Sequence, residues 1–304
     1  MPSKKISADL MRSCSLCPRE CRADRLSGER GMCGVAGGDV IVAHYMLHRW
    51  EEPCVSGNRG AGAVFFGGCG LRCLFCQNHA ITGGTFGKLY DTASLAELFL
   101  DLQRLGADNI DLVTPTHYTP QIMEAVAAAK RIGLAIPVLW NSSGYEKAET
   151  IALLRDTVDI YMPDFKYYSG ELAKAFSCAP DYFAFASRAV AEMAAQTGRP
   201  IYDNNGMLQR GTIVRILALP GHTDDTMKII HYLYKTYRDD VILSIMGQYT
   251  PPAQIEYPEL RRPLTQEEYD EVCDFAAEIG VKNAYIQELG SVSESFIPEF
   301  GKVE

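Results

Sequence analysis

From residue 61 onward, short runs of consecutive apolar residues alternate with longer stretches in which apolar residues recur every three or four positions. The first pattern suits a strand buried on both faces, the second an amphipathic helix. Strands are predicted over 61–68, 109–115, 136–141, 158–165, 211–221 and 241–247. Helices are predicted over 94–106, 120–133, 145–156, 187–198, 223–240 and 264–280. Ser94 opens and Gly106 closes the first helix, and Pro120 and Gly133 frame the second. Thr265 and Glu268 form a capping box for the last. A further short strand is expected within 283–289.

Strands alternating with helices require parallel pairing through right-handed crossovers, in a doubly wound sheet or a β/α barrel. Each strand runs at once into a polar, turn-rich segment. The first leads to three cysteines, the others to 114–120, 141–145, 163–168, 220–225 and 246–252. A barrel gathers such segments on its C-terminal face, so their distribution favours the barrel, partial or complete.

Composition narrows the partners. The 304 residues are 47% hydrophobic and carry a formal charge of −9. An acidic chain without a Lys/Arg block argues against nucleic acid or anionic lipid. The first residues lack the apolar core of a secretory signal. No run approaches the ~18 apolar residues that a membrane span requires. Ten cysteines in this setting point to a reducing cytoplasm, where clustered thiols bind metal more often than they pair.

Eight of the ten cysteines fall between Cys14 and Cys76, while Cys178 and Cys273 stand alone and read as plain packing or surface residues. Cys69, Cys73 and Cys76 have the spacing C-x3-C-x2-C. Three thiolates can hold three irons of a [4Fe–4S] cluster and leave the fourth open. Alternatively they form a zinc knuckle that borrows His79 or Cys54. Upstream, Cys14, Cys17, Cys21 and Cys33 are spaced C-x2-C-x3-C-x11-C, a closed four-thiolate set for structural zinc or a second Fe–S cluster. Arg215 sits inward on a predicted strand and needs an anionic partner, either a cofactor carboxylate or an internal acid.

The segment "CGLRCLFCQN" after the first barrel strand resembles the signature of the radical S-adenosylmethionine (radical SAM) enzymes. The runs "HRWEEPCVSGNRGAGAVFFGGCGLRCLFCQNHAIT", "CSLCPREC" and "VDIYMPDFKY" further resemble the PflX-like subfamily, similar to pyruvate formate-lyase activating enzyme. The resemblance implies an α/β fold, a partial (β/α)6 barrel, with an N-terminal cysteine-rich metal-binding extension and a short C-terminal extension. The corresponding boundaries are 1–58, 59–255 and 256–304. It implies a [4Fe–4S] cluster on Cys69, Cys73 and Cys76 whose open iron chelates the methionine moiety of S-adenosylmethionine. Reductive cleavage then yields a 5′-deoxyadenosyl radical, with an electron donor such as flavodoxin or ferredoxin. Phe75 matches the aromatic that borders the adenine, and Asn78 follows in the same motif. The family's Gly-Gly-Glu segment, which meets the methionine amino group, is replaced here by Thr114, Pro115, Thr116 and His117. Asn141 and Ser142 match the segment that faces the cofactor carboxylate. Asp164 and Lys166 match an Asp-Leu-Lys beside the methionine, so Lys166 joins the three cysteines as a candidate catalytic residue. Arg215 is a further cofactor-binding candidate, and His222 matches a position facing the reaction centre.

The expected function is therefore hydrogen abstraction from a substrate by a radical SAM oxidoreductase. The substrate is a glycyl radical enzyme in one reading, and an unrelated peptide or small molecule in the other. An Fe–S electron-transfer or sensing protein, and a zinc-stapled binding module, are the readings of other classes. Six polar segments on one rim argue against both, because neither needs a lined barrel mouth.

Overall fold

The computed structural model describes residues 9–287 together with Leu289 and Phe300. One sheet organises it. Seven strands run parallel in the spatial order β2 (Ala61–Phe66), β4 (Ile110–Val113), β5 (Val138–Ser142), β6 (Ile160–Pro163), β8 (Leu208–Leu217), β9 (Ile242–Met246) and β10 (Ala284–Ile286). β1 (Val40–His48) lies antiparallel on the outer side of β2, and β3 (Lys88–Tyr90) antiparallel beyond it. β7 (Ile201–Tyr202) is a short antiparallel partner of β8. Among the described residues the order does not return from β10 to β3, so the sheet is open.

It is also curled. A single cleft touches residues that end or follow β2, β4, β5, β6, β8 and β9. In a flat sheet, strands about 4.8 Å apart would put β2 roughly 24 Å from β9, too far to border one cleft. Of the two arrangements that the alternation allows, the fold is thus the barrel, and in its partial form, with the strand-end segments on one rim.

Helices cover the outer face: α1 (Thr92–Arg104), α2 (Thr119–Arg131), α3 (Ala148–Ala152), α4 (Gly170–Ser177), α5 (Tyr182–Thr197), α6 (Thr223–Tyr237) and α7 (Gln266–Glu278). α1 starts two residues before Ser94, because Asp91 caps it by accepting the Ser94 N–H. Its Leu95, Leu98, Phe99 and Leu102 pack on the β2–β4 side in one core with Trp140 and Ile151. α7 carries the capping box of Thr265 and Glu268. The helix predicted over 145–156 is only the five residues of α3. Glu146 is drawn into the core by hydrogen bonds from Thr116, Trp140 and Ser142, which pins the chain before a helix can start. Of the C-terminal extension, residues 291–304 lie outside the described residues apart from Phe300. No helix of the described residues is long and apolar enough to cross a membrane.

Candidate active site

The cleft at the C-terminal rim is lined by all three cysteines of the triplet, with Phe75, Asn78, Thr114, Asn141, Ser142, Asp164, Lys166 and Arg215. Eleven of the fourteen candidate residues of the rim therefore meet in one place. The cysteine loop leaves β2 through Gly67 and Gly68. Gly68 has φ +96°, and a Cβ there would stand 2.7 Å from the Cys33 carbonyl oxygen. That close approach needs a residue without a side chain. Burial pushes the Cys69 thiol up to about 12 and Cys76 to about 11, with mutual repulsion from the neighbouring cysteines adding to both. Thiols so placed ionise only with a cation to offset the charge, and iron supplies one. Neither proposed fourth ligand of a zinc knuckle joins them. His79 is exposed, and Cys54 is buried beside Tyr285.

The opposite wall is charged. Lys166 Nζ lies 2.7 Å from Asp164 Oδ2. Arg215 donates from Nε to Asp164 Oδ1 at 3.0 Å, from Nη1 to Glu51 Oε2 at 3.1 Å and from Nη2 to Asn141 Oδ1 at 2.6 Å. Burial alone would raise Asp164, but Lys166 and Arg215 hold it below the usual carboxylate range. Burial alone would lower Lys166, but Asp164 and then Cys73 hold it above the usual amine range. The turns that carry these groups are tied by Tyr182 of α5. Its hydroxyl donates to the Ser143 and Asp164 carbonyls and accepts the Lys166 N–H. Gly144 lies so close that a Cβ there would meet the Asp164 carbonyl at 2.1 Å.

Thr114 lines the cleft with φ 59°, the left-handed region that a β-branched residue rarely occupies. It takes this conformation where the related signature has glycine, and its N–H donates to the Asn141 carbonyl at 2.8 Å. The next residues turn away. Thr116 gives its hydroxyl to Glu146 at 2.8 Å. His117 is buried beneath the cysteine loop with Nε2 2.9 Å from the Gly67 carbonyl, and burial lowers it to about 3. His222 packs edge-on against Phe176, 5.2 Å between centroids, with Nε2 3.4 Å from Glu259. Thr116, His117 and His222 thus stand outside the cleft lining. Ser142 borders it, but its hydroxyl already donates to Glu146.

Sequence reasoning missed the barrel's acidic interior. Glu51, Glu52 and Asp111 are all pushed up, each by burial first. Asp111 Oδ1 and Glu52 Oε2 have no hydrogen-bond partner among the described residues. Asp111 carries a legible signal, because a charged residue inside a run predicted to be buried on both faces needs a partner.

The upstream cysteines lie beside this site, with Cys14 and Cys33 buried and Cys17 and Cys21 half-buried. In neither cysteine group are three side chains already drawn around a single ion-sized point, among the described residues. The chain matches the family described as the Radical SAM superfamily over residues 63–233. It is 27% identical over 292 residues to the uncharacterized protein MJ0674 of Methanocaldococcus jannaschii, covering 92% of this chain and 79% of that one. Among solved structures it resembles Streptococcus suis SuiB bound to precursor peptide SuiA, with TM-score 0.50, 11% identity and coverage of 72% of this chain and 46% of that one. It also resembles native anSMEcpe with bound AdoMet, with TM-score 0.50, 11% identity and coverage of 72% and 61% respectively. The chain spans about half the length of the SuiB structure, and at such identities the likeness shows the fold.

Proposed function

The chain belongs to the radical SAM superfamily, and from that premise we propose that it cleaves S-adenosylmethionine reductively at its C-terminal rim and abstracts hydrogen from a polypeptide. The observation that carries the reading is the shared cleft of Cys69, Cys73, Cys76 and Lys166. Cys69, Cys73 and Cys76 would hold a [4Fe–4S] cluster, which would supply the electron for reductive cleavage of S-adenosylmethionine. The chain's own part is to hold and orient. Three thiolates would be one ligand short of a closed [4Fe–4S] site, which would leave a position for the cofactor. The Lys166 ammonium has donors beyond the one given to Asp164, and these suit a carboxylate. Asp164, Asn141 and the Thr114 turn offer acceptors for an ammonium. Phe75, packed edge-on 6.0 Å from Tyr249, offers an apolar flank to the adenine.

A polypeptide substrate covers both a glycyl radical enzyme's loop, as the PflX-like resemblance suggests, and a peptide such as the one bound to SuiB. A flavodoxin or ferredoxin is the class of electron donor such chemistry needs. Ten free cysteines fit the reducing cytoplasm. The test is anaerobic reconstitution with iron, sulfide and dithionite, followed by measurement of 5′-deoxyadenosine. Cys73→Ala should abolish its formation, and full activity in that variant would overturn the reading.

A further inference from the structure

We infer that Cys14, Cys17, Cys21 and Cys33 form a second metal–thiolate centre, docked on the loop of the first, and that the buried Arg25 is its counter-ion. Two tight turns carry the four cysteines. In the first, the Glu20 N–H donates to Cys17 at 3.1 Å and the Arg22 N–H donates back to the Cys14 carbonyl at 2.9 Å. In the second, the Gly34 N–H closes on Gly31 at 2.9 Å around Cys33. Gly31 sits between them, since a Cβ there would stand 3.1 Å from Cys21 Sγ and 3.4 Å from Cys33 Sγ. Sulfurs from both turns therefore flank one residue.

Arg25 supplies the independent observation. It is fully buried, and neither Nε nor Nη2 has a partner among the described residues. Nη1 donates to the His117 carbonyl, and the guanidinium lies 5.6 Å from the Tyr118 ring centroid. A guanidinium does not shed its proton in a protein, and a buried charge left alone is strongly unfavourable. An anion must face it. Arg25 and Cys33 share a neighbourhood: a Cβ at Gly68 would stand 2.7 Å from the Cys33 carbonyl oxygen and 3.1 Å from Nε2 of His117, whose carbonyl Arg25 holds. Four thiolates outweigh the positive charge of a zinc ion or of a [4Fe–4S] core, so either centre would carry the missing negative charge.

The centre would also brace the first site. The Cys69 N–H donates to the Cys33 carbonyl at 3.3 Å, Arg19 Nε to the Gly70 carbonyl at 2.9 Å, and Arg72 Nη2 to the Met32 carbonyl at 2.7 Å.

The test uses the 304-residue chain purified anaerobically as Cys73→Ala, which disables the first centre alone. Metal and acid-labile sulfide are measured, and the N-terminal thiols are alkylated and read by mass spectrometry. Retained zinc, or retained iron with sulfide, that disappears in the further variant Cys17→Ala is the expected result, and it separates the two metals. In the otherwise native chain, alkylation of the four thiols should be at least about tenfold slower than after chelation. Arg25→Met should lose this metal to a chelator about tenfold faster, and Arg25→Lys should not. A Cys73→Ala protein holding neither metal, or native thiols that react as fast as chelated ones, overturns the centre. Equal loss rates for Arg25→Met and the native chain overturn the counter-ion.

Discussion

Arg215 and Asp164 pair across neighbouring parallel strands, Nε to Oδ1 at 3.0 Å, and the same guanidinium reaches Glu51 and Asn141. An internal acid is thus a partner of this half-buried arginine. Arg215→Met should leave Glu51 and Asp164 without their shared cation and destabilise the fold by about 3–5 kcal/mol. Urea denaturation checks this. A loss below about 1 kcal/mol would show that the carboxylates are compensated elsewhere.

Thr114 carries strain that glycine would not. A left-handed β-branched residue costs about 1–3 kcal/mol, while glycine loses about 0.5–1 kcal/mol more backbone entropy on folding. Thr114→Gly is therefore expected to match or exceed the native stability. A thermal midpoint several degrees lower would mean that the side chain's contacts outweigh the strain.

The central parallel strands were legible because they are buried on both faces and read as largely apolar runs. β1 and β3 were not. They lie antiparallel at the sheet's edge with many half-exposed side chains, and no crossover helix marks them. The same limit explains the rim. Cys69, Asp164 and Lys166 end or closely follow a strand, so position along the chain sufficed to place them in the cleft. Thr116 and His117 also follow a strand closely, but the 3-10 turn Thr116–Tyr118 carries them under the rim. Sequence nearness to a strand end does not say which way the chain then turns. The interior acids were missed for a related reason, since Glu51 and Glu52 precede β2 in a loop and only the curl of the sheet brings them to Arg215.

Asp111 gives a dependence on pH with a definite sign. Burial first, and then the Glu51 charge, hold it well above the ordinary carboxylate range. The native state therefore keeps its proton where the unfolded chain releases it. The associated stability is complete below the unfolded pKa of about 3.9 and is lost as pH rises toward the raised native value. Asp111→Asn removes this titration and should flatten the decline in stability on the alkaline side. Denaturant midpoints for both proteins from weakly acidic to mildly alkaline pH measure it, and equal slopes would refute it.

Lys166 offers the cleanest probe of the cofactor pocket. Its ammonium lies 2.7 Å from Asp164 and lines the cleft beside the three cysteines. Asp164 stays paired with Arg215 when the lysine is removed, so the fold should persist in Lys166→Ala. The cysteines do not depend on it for position, so cluster iron should be unchanged. What is lost is a charge-assisted hydrogen bond to the methionine carboxylate, about 1.5–3 kcal/mol, or roughly 10- to 150-fold in affinity. Asp164→Asn is less informative, because it strips two half-buried cations of their common partner and perturbs folding as well as binding. Equilibrium dialysis of S-adenosylmethionine against the reconstituted Lys166→Ala protein, with iron measured in the same samples, separates the possibilities. Weaker binding at constant iron places the carboxylate on β6. Unchanged affinity would mean that another part of the rim holds the carboxylate, with Asn141 and the Thr114 turn as the next positions to test.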